Sequence, residues 1–410
     1  MTAQCPLCGN ADFAPVLSLD GVPVEEGRFP ESSAAAVAMP TGSCLLCHCP
    51  ACGFVYDAAP RPEQVVYDVG YTTFMGASPS FARHVRETAE RLVADYGLAG
   101  GTAVDIACGF GDFLEALVGA GMAAGTGVDP AAGPVGDTRI TMVREYFRPD
   151  LLPPDVALVS CRHMLYLMDD PLELLTSIRG SLGSRSPLVY VEFVNRAAAA
   201  TGWDPWDVTY EHRSYFTAQS ARRLFEATGF EVLAVREVHH GRFLGVEARP
   251  TEISPSRSTD EEVSGLAGAV AGLQAHTDER VRLWGEALRE TREARGRIVA
   301  WCAGARAISF LALTGAAEEV AAVVDLSPAR HGRFVPGSGR PVVGPEEVAD
   351  LRPDVVLVTN PAYTQEVREE LARRGLPEVP VVELDDPAAP TDLLTAVRAA
   401  RGAPAASSPR

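Results

Sequence analysis

The sequence predicts an α/β protein with two Rossmann-like sheets behind a small cysteine-rich module. Three observations carry this prediction: two matching cysteine motifs near the N-terminus, a strand, glycine turn and helix over residues 102–118, and a second such unit over residues 298–315. A chain of 410 residues that is 47% hydrophobic exceeds one ordinary core, so we expect two or three domains.

Charge and apolar patterning exclude several classes of partner. The formal net charge is −18, and so acidic a surface repels phosphate backbones and anionic lipid. We therefore expect neither a nucleic-acid nor a membrane partner. No apolar run reaches the length of a membrane span, and the opening residues MTAQCPLCGN do not have the pattern of a signal peptide. A cytoplasmic protein is expected.

The cysteine motifs are CPLCG at 5–9 and CPACG at 49–53. In each, two thiolates stand three positions apart, and a glycine lets the backbone fold back toward sulfur. Two such knuckles predict a closed, structural tetrahedral zinc site. The expected ligands are Cys5, Cys8, Cys49 and Cys52. A further Cys-x-x-Cys motif, Cys44 and Cys47, is the alternative second pair.

The central unit reads TAVDIACGFGDFLEALV at 102–118, and a second strand, GTGVD, ends at Asp129. Glycines let a backbone approach a ligand closely, and an acid after the second strand can accept both hydroxyls of a ribose. The pattern therefore predicts a nucleotide-type cofactor site. Its candidate residues are Asp105, Ala107, Gly109, Gly111, Asp129 and Pro130.

The last third repeats this logic on a smaller scale. Residues 255–296 are polar with a helical pattern and predict a connector helix, and a small parallel α/β unit with a strand ending at Asp325 follows. The predicted parts are a zinc-binding domain (1–72), a central domain (73–252), a helical connector (253–296), a C-terminal Rossmann-like domain (297–400) and a disordered tail (401–410).

With these parts in view, the chain resembles the three-domain C-methyltransferases of deoxysugar biosynthesis. The resemblance is carried by the paired knuckles, by YEHRSYF at 210–216, and by CAGARAISFL and VVDLSPARHGRFVPGSGRPVV in the last third. It implies a class I methyltransferase sheet of seven mostly parallel strands with an antiparallel last strand. It also implies S-adenosylmethionine as cofactor, structural zinc, and a nucleotide-linked keto-sugar as the small-molecule substrate of a monomeric enzyme.

In the family, a base removes a proton next to a ketone, and the enolate attacks the methyl group. The resemblance assigns the base to His212 with Glu211 as its support, and an imidazole suits this task near neutral pH. Tyr210 or Tyr215 would donate to the enolate oxygen. His163 is a further pocket candidate, although a histidine at the start of a helix or in the core is an equal interpretation.

The match departs from the family pattern in the pocket. Leu167 stands where the family has a histidine, Thr73 where it often has tyrosine, Ala107 and Cys302 where glycine is usual, and Thr209 begins a block that is usually Tyr-His-Glu-His. An alternative hypothesis is therefore a diverged enzyme that keeps the cofactor but catalyses O-methylation, cyclisation or elimination. A non-catalytic scaffold is the third.

Overall fold

The structure, a computed structural model, describes residues 4–62, 65–68, 70–71, 76–195, 204–252 and 259–401, without the side chains of residues 260–262. Within these residues the chain forms three sheets with separate strand orders. They correspond to the three predicted parts, although the first sheet also takes a strand from the central third of the sequence. Among the described helices, none is long and apolar enough to cross a membrane.

The N-terminal sheet is antiparallel, with the strand order β1-β2-β3-β9. Its strands are β1 (Ala14–Pro23), β2 (Thr41–His48), β3 (Val55–Asp57) and β9 (Ser214–Tyr215), and one short helix, α1 (Ser33–Val37), lies between β1 and β2. Because β9 comes from the YEHRSYF segment, the N-terminal module is built from both sides of the predicted boundary at residue 72. Tyr215 pairs with Val55.

The central sheet has seven strands in the order β10-β11-β8-β7-β4-β5-β6. The strands are β4 (Thr102–Ile106), β5 (Ala124–Val128), β6 (Ile140–Val143), β7 (Val156–Arg162), β8 (Leu188–Val194), β10 (Phe230–Val238) and β11 (Phe243–Pro250). All neighbours are parallel except β11, which is antiparallel to both β8 and β10. The predicted seven-stranded sheet with an antiparallel last strand is confirmed.

Four helices flank this sheet, and their ends follow from local chemistry. They are α2 (Pro79–Tyr96), α3 (Asp112–Gly119), α4 (Pro171–Leu182) and α5 (Ala218–Ala227). At α2, the hydroxyl of Ser78 accepts from the amide of Phe81, and Gly97 ends the helix in a left-handed conformation. At α5, Thr217 and Ser220 form a reciprocal capping box, which fixes the end of the YEHRSYF segment.

The C-terminal part begins with two helices rather than one, α6 (Asp260–Val270) and α7 (Leu273–Glu293), separated where Gly272 adopts a φ of 76°. A parallel sheet follows in the order β14-β13-β12-β15-β16. Its elements are β12 (Ile298–Trp301), α8 (Ala305–Thr314), β13 (Val320–Val324), β14 (Val342–Val343), α9 (Val348–Leu351), β15 (Val355–Val358), α10 (Thr364–Arg373), β16 (Val381–Glu383) and α11 (Ala389–Arg401). Arg401 ends α11, and the rest of the predicted tail lies outside the described residues.

The N-terminal module and the central domain pack against each other through buried side chains. Phe54 of the N-terminal module lies 5.2 Å, ring centre to ring centre, from Phe216, which in turn lies 4.6 Å from Phe193 of β8. The guanidinium of Arg223 on α5 donates to the carbonyl of Cys52 at 2.6 Å. The N-terminal module is therefore packed directly onto the central domain through buried aromatic rings.

Candidate functional site

The predicted cofactor turn joins β4 to α3 at the carboxyl edge of the central sheet. Ala107, Gly109 and Gly111 all adopt left-handed backbone conformations, with φ of 57°, 55° and 81°. This region is open to glycine and strained for alanine, so the change to Ala107 carries a conformational cost. No atom of the described residues lies within 4 Å of where a Cβ on Gly109 would stand, so this face of the turn is open.

Asp129 follows β5 and holds the turn from the side. Its carboxylate accepts from the amide of Gly109 at 3.0 Å and from the amide of Ala131 at 2.7 Å. Pro130 is half-buried beside it. An oxygen that accepts one amide keeps a second lone pair, so the carboxylate can still accept from a ribose hydroxyl. The residues present fit the nucleoside half of the expected cofactor.

Asp105 lies inside the sheet, only 3% exposed. Its carboxylate accepts from the hydroxyl of Ser160 on the neighbouring strand β7 at 2.6 Å. Burial raises the pKa of Asp105 to about 7, against the opposing effects of Ser160 and Arg162. The side chain thus connects the two central strands directly below the turn.

The segment 204–217, which contains YEHRSYF, lies where all three parts of the protein meet. Trp206 packs edge-to-face on Phe310 of α8, with ring centres 5.0 Å apart. Tyr210 lies under the guanidinium of Arg61, 4.0 Å from its ring centre, and a Cβ on Gly42 of β2 would stand 2.1 Å from that ring. Tyr210 therefore fills the junction with the N-terminal sheet.

Glu211 is buried and accepts three hydrogen bonds. They come from the hydroxyl of Tyr67 at 3.1 Å, from the hydroxyl of Tyr71, and from the amide of Glu26 at 2.8 Å. Burial raises the pKa of Glu211, and these donors oppose the rise. The two tyrosines were not among the sequence candidates; the only signal was a tyrosine-rich stretch, YDVGYTT, before the central domain.

His212 lies against the loop after β7. Its ring meets Tyr166 edge-on with centres 4.7 Å apart, and it lies 6.2 Å from the ring of Tyr215. The amide of Arg213 donates to the carbonyl of Tyr166 at 2.8 Å, which fixes the two segments against each other. His212 and Glu211, adjacent in sequence, thus have different surroundings, and Tyr166 lies where the loop departs from the family pattern.

His163 belongs to a second group of titratable side chains, which we call the histidine cluster: His84, His163, His239 and Glu192. Glu192 on β8 is fully buried. Nε2 of His84 lies 3.1 Å from both its oxygens, and Nε2 of His163 lies 3.0 Å from Oε1. The hydroxyl of Tyr190 donates to Oε2 at 2.7 Å. Of these residues, sequence reasoning singled out only His163.

His239 completes the cluster from the turn between β10 and β11. Its ring stacks on Phe243 at 5.4 Å and lies 5.2 Å from His84 and 5.6 Å from Tyr363 of the C-terminal part. Burial lowers the pKa of His163, and burial with the neighbouring imidazoles lowers that of His239 to about 4. Both rings are therefore neutral near pH 7.

The four expected zinc ligands converge at one point. The sulfurs of Cys5, Cys8, Cys49 and Cys52 lie within 4.8 Å of one another, with Cys5 to Cys52 and Cys8 to Cys49 both at 3.6 Å. Thiolates in a tetrahedron around zinc, each about 2.3 Å from the metal, stand roughly 3.8 Å apart. The arrangement therefore has the size of a closed four-thiolate site.

The alternative pair does not join this group. Cys44 is fully buried in the core of the N-terminal sheet, and burial raises the pKa of its thiol to about 12. The thiol of Cys47 lies 3.7 Å from the carbonyl of Leu45. Neither belongs to the convergent set found among the described residues.

The C-terminal unit repeats the design of the cofactor turn. Asp325 follows β13, and its carboxylate accepts from the amides of Ala303 at 2.8 Å and Ser327 at 2.9 Å. Cys302 opens the turn with a φ of 77°. A second turn-and-acid arrangement is thus present at the carboxyl edge of the C-terminal sheet.

Comparisons with known proteins match both large parts of the chain. Residues 81–235 match the family model described as a methyltransferase domain, and residues 259–375 match the model of a C-methyltransferase C-terminal domain. The curated protein "C-methyltransferase NovU" of Streptomyces niveus is 25% identical over 408 residues, which is 93% of this chain and 96% of the relative. The similarity thus extends over all three parts.

Two solved structures are similar to part of the chain. A putative S-adenosylmethionine-dependent methyltransferase from Listeria monocytogenes is 13% identical, with 43% of this chain and all of that chain covered and a TM-score of 0.33. One from Mesorhizobium loti is 20% identical, with 40% and 97% covered and a TM-score of 0.32. The chain is an S-adenosylmethionine-dependent methyltransferase, and its full-length similarity is to a C-methyltransferase.

Proposed function

We propose that the enzyme methylates a carbon next to a carbonyl group in a small molecule, with nucleotide-linked deoxy-keto-sugars as the substrate class. The observation that carries this proposal is the position of His212: a buried imidazole held against the loop after β7, at the sheet edge that also bears the cofactor turn. Ligands of open parallel sheets bind outside this edge.

The cofactor, when bound, supplies an electrophilic methyl group on a sulfonium sulfur. The turn is open at Gly109 and lets the backbone approach the cofactor, whereas Gly111 leaves room for the packed side chains of Val135 and Met142. Asp129 accepts from the cofactor's ribose, and Ala107 and Pro130 border the same site. Asp105 acts from below by joining β4 to β7 through Ser160. These assignments keep all six sequence candidates at one edge of the sheet.

His212 accepts the proton of the substrate C–H bond, and the electron pair of that bond forms the enolate whose carbon takes the methyl group. Glu211 supports this step indirectly, because its hydrogen bonds from Tyr67 and Tyr71 anchor the segment that carries His212. Of the two tyrosines proposed to donate to the enolate oxygen, Tyr215 lies nearer the imidazole, whereas Tyr210 packs between Arg61 and Gly42. This contact favours Tyr215 as the donor.

We assign zinc to the cluster of Cys5, Cys8, Cys49 and Cys52 in a structural role, because four thiolates leave no open position for chemistry. Asp325 and its turn are the proposed contact for the nucleotide part of the substrate. We also propose a cytoplasmic enzyme, and a monomer because the N-terminal and C-terminal parts already contact the central domain.

A second candidate function is favoured by one observation. Tyr166 and Leu167 occupy the loop position where the related enzymes have an acid and a histidine, and the Tyr166 ring lies directly on His212. A changed pocket of this kind suits a reaction such as O-methylation, cyclisation or elimination with the cofactor retained. The atom that is methylated separates the two functions.

The test begins with calorimetry of S-adenosylmethionine and S-adenosylhomocysteine on the zinc-loaded protein. We expect both to bind, with binding weakened in Asp129→Ala and unchanged in Asp137→Ala, a partly exposed aspartate in the loop before β6. A screen of nucleotide-linked keto-sugars, read by mass and by the carbon position of the new methyl group, follows. No binding by folded wild type would refute the function, and methyl on oxygen would favour the second candidate.

A further inference from the structure

The histidine cluster lies at the point where ligands of such sheets bind. The strand order reverses between β4 and β7, which is the topological switch point. Ile106 at the end of β4 is in register with Cys161 of β7, so His163 follows β7 at the level of the cofactor turn. His239 contacts Tyr363 from the C-terminal part, which places the cluster at a domain boundary as well.

Glu192 determines which nitrogen of His163 carries the hydrogen. Burial alone would raise the pKa of Glu192, but Arg162 and the two imidazoles hold it well below its usual range, so the carboxylate is ionised. An ionised carboxylate only accepts hydrogen bonds. Nε2 of His163 lies 3.0 Å from Oε1 without hydrogen-bond alignment, but at this distance the carboxylate attracts an N–H and repels a ring lone pair, so the hydrogen is assigned to Nε2 and in the neutral ring Nδ1 is left as an acceptor.

This acceptor has no partner within the described part of the chain. Nδ1 of His163 is buried and makes no hydrogen bond with any described residue, and the same holds for Nε2 of this ring, which only faces Glu192, and for Nε2 of His239. Buried polar atoms are nearly always paired, so unpaired ring nitrogens at a ligand-binding edge indicate groups reserved for a ligand.

The backbone at the cluster supports this interpretation. His163 has a φ of 57°, a left-handed value that is uncommon outside glycine, whereas the φ of 46° at His239 belongs to the tight turn that joins β10 to β11. Such strain persists where the surrounding structure requires it, commonly at ligand contacts. The rings are held by Phe81 and Phe243, whose centres lie 6.0 and 4.5 Å from that of His163.

We propose that the histidine cluster is a hydroxyl-binding subsite of the methyl-transfer pocket, in which Nδ1 of His163 accepts a hydrogen bond from a substrate hydroxyl and Glu192 is the positioning residue. The inference rests on the proposed function, since it takes the substrate to be a sugar with ring hydroxyls. It assigns recognition to His163 and leaves proton removal to His212. A substrate lacking that hydroxyl leaves the nitrogen unpaired and binds roughly ten- to a hundredfold more weakly.

The test uses the full zinc-loaded chain with nitrogen-15-labelled histidine and bound S-adenosylhomocysteine. The Nδ1 resonance of His163, assigned from the spectrum of His163→Gln, is followed while two nucleotide-linked keto-sugars that differ in one ring hydroxyl are added. We expect a hydrogen on Nε2 alone, a shift of Nδ1 with the hydroxylated sugar, and none with the deoxy sugar. In Glu192→Gln the shift is lost and the two sugars bind equally well.

Glu247→Gln is the matched control. Glu247 is also fully buried in this sheet and accepts hydrogen bonds from Tyr96 and Arg236. Among the described residues, no histidine contacts it. It should keep the wild-type discrimination. A hydrogen on Nδ1 in wild type, equal shifts with both sugars, or discrimination retained in both His163→Gln and Glu192→Gln would overturn the inference. Absence of S-adenosylhomocysteine binding would instead overturn the proposed function, while the ring tautomer still tests the role of Glu192.

Discussion

Replacement of Asp105 by Asn should stabilise the central sheet above neutral pH. The pKa of this carboxyl rises from its ordinary value of 3.8 to about 7 in the fold, mainly through burial. Three units correspond to about 4 kcal/mol, since each unit is about 1.4 kcal/mol. Between these two values the folded protein binds more protons than the unfolded chain, so its stability falls as pH rises and stays low above pH 7.

Asparagine removes this charge and still accepts from the hydroxyl of Ser160. The difference in unfolding free energy between Asp105→Asn and wild type should therefore grow by up to about 4 kcal/mol from pH 4 to pH 7 and then level off. Amide hydrogen exchange in β4 and β7 as a function of urea reports this sheet rather than the whole chain. A difference that stays flat or shrinks with rising pH would refute the reasoning.

Asp137, a partly exposed aspartate, is a control whose pKa shifts in the opposite direction. Arg139 lowers the pKa of Asp137 to about 2. A carboxyl with a lowered pKa adds stability above its unfolded value and loses it as pH falls. Asp137→Asn should therefore be slightly less stable than wild type at neutral pH, with no gain across the same range.

Three further outcomes are expected. His212→Asn should lower the rate of methyl transfer by on the order of 10²–10⁴-fold without changing S-adenosylhomocysteine affinity; turnover within a few-fold of wild type would exclude it as the base. Asp129→Ala should weaken cofactor binding by roughly ten- to a hundredfold in calorimetry, and unchanged affinity would exclude the ribose contact. Cys49→Ser should lose the bound zinc measured by metal analysis and lower the melting temperature, whereas Cys44→Ser should keep the metal; equal metal content in both would contradict the ligand assignment.

Local patterns in the sequence predict the parts of the fold that are built locally. The start of α3 at Asp112 follows from the glycine turn after the apolar strand β4, and the end of β5 follows from the acid Asp129 after a second apolar strand. The choice of Cys49 and Cys52 over Cys44 and Cys47 as the convergent pair follows from the glycine and proline shared with the first knuckle. In these cases the residues that determine the structure are within a few positions of one another.

Contacts between distant segments were not predictable in this way. Glu192 meets His84, which is 108 residues away in the chain, and Glu211 meets Tyr67 and Tyr71, which precede the central domain. Adjacency of Glu211 and His212 suggested a pair, yet their side chains have different partners, because the chain turns at Tyr210 and Glu211, where the amide of His212 donates to the carbonyl of Thr209. Only the tertiary fold brings these groups together.

The strand β9 has a consequence for how the protein is made. β3 has one neighbour, β2, until Ser214 and Tyr215 are synthesised and pair with it. An edge strand with unpaired amides and carbonyls is a template for wrong pairing with other chains. During synthesis, the N-terminal module therefore stays incomplete until most of the central domain has been made. We expect the module and the central domain to become protease-resistant together rather than one after the other.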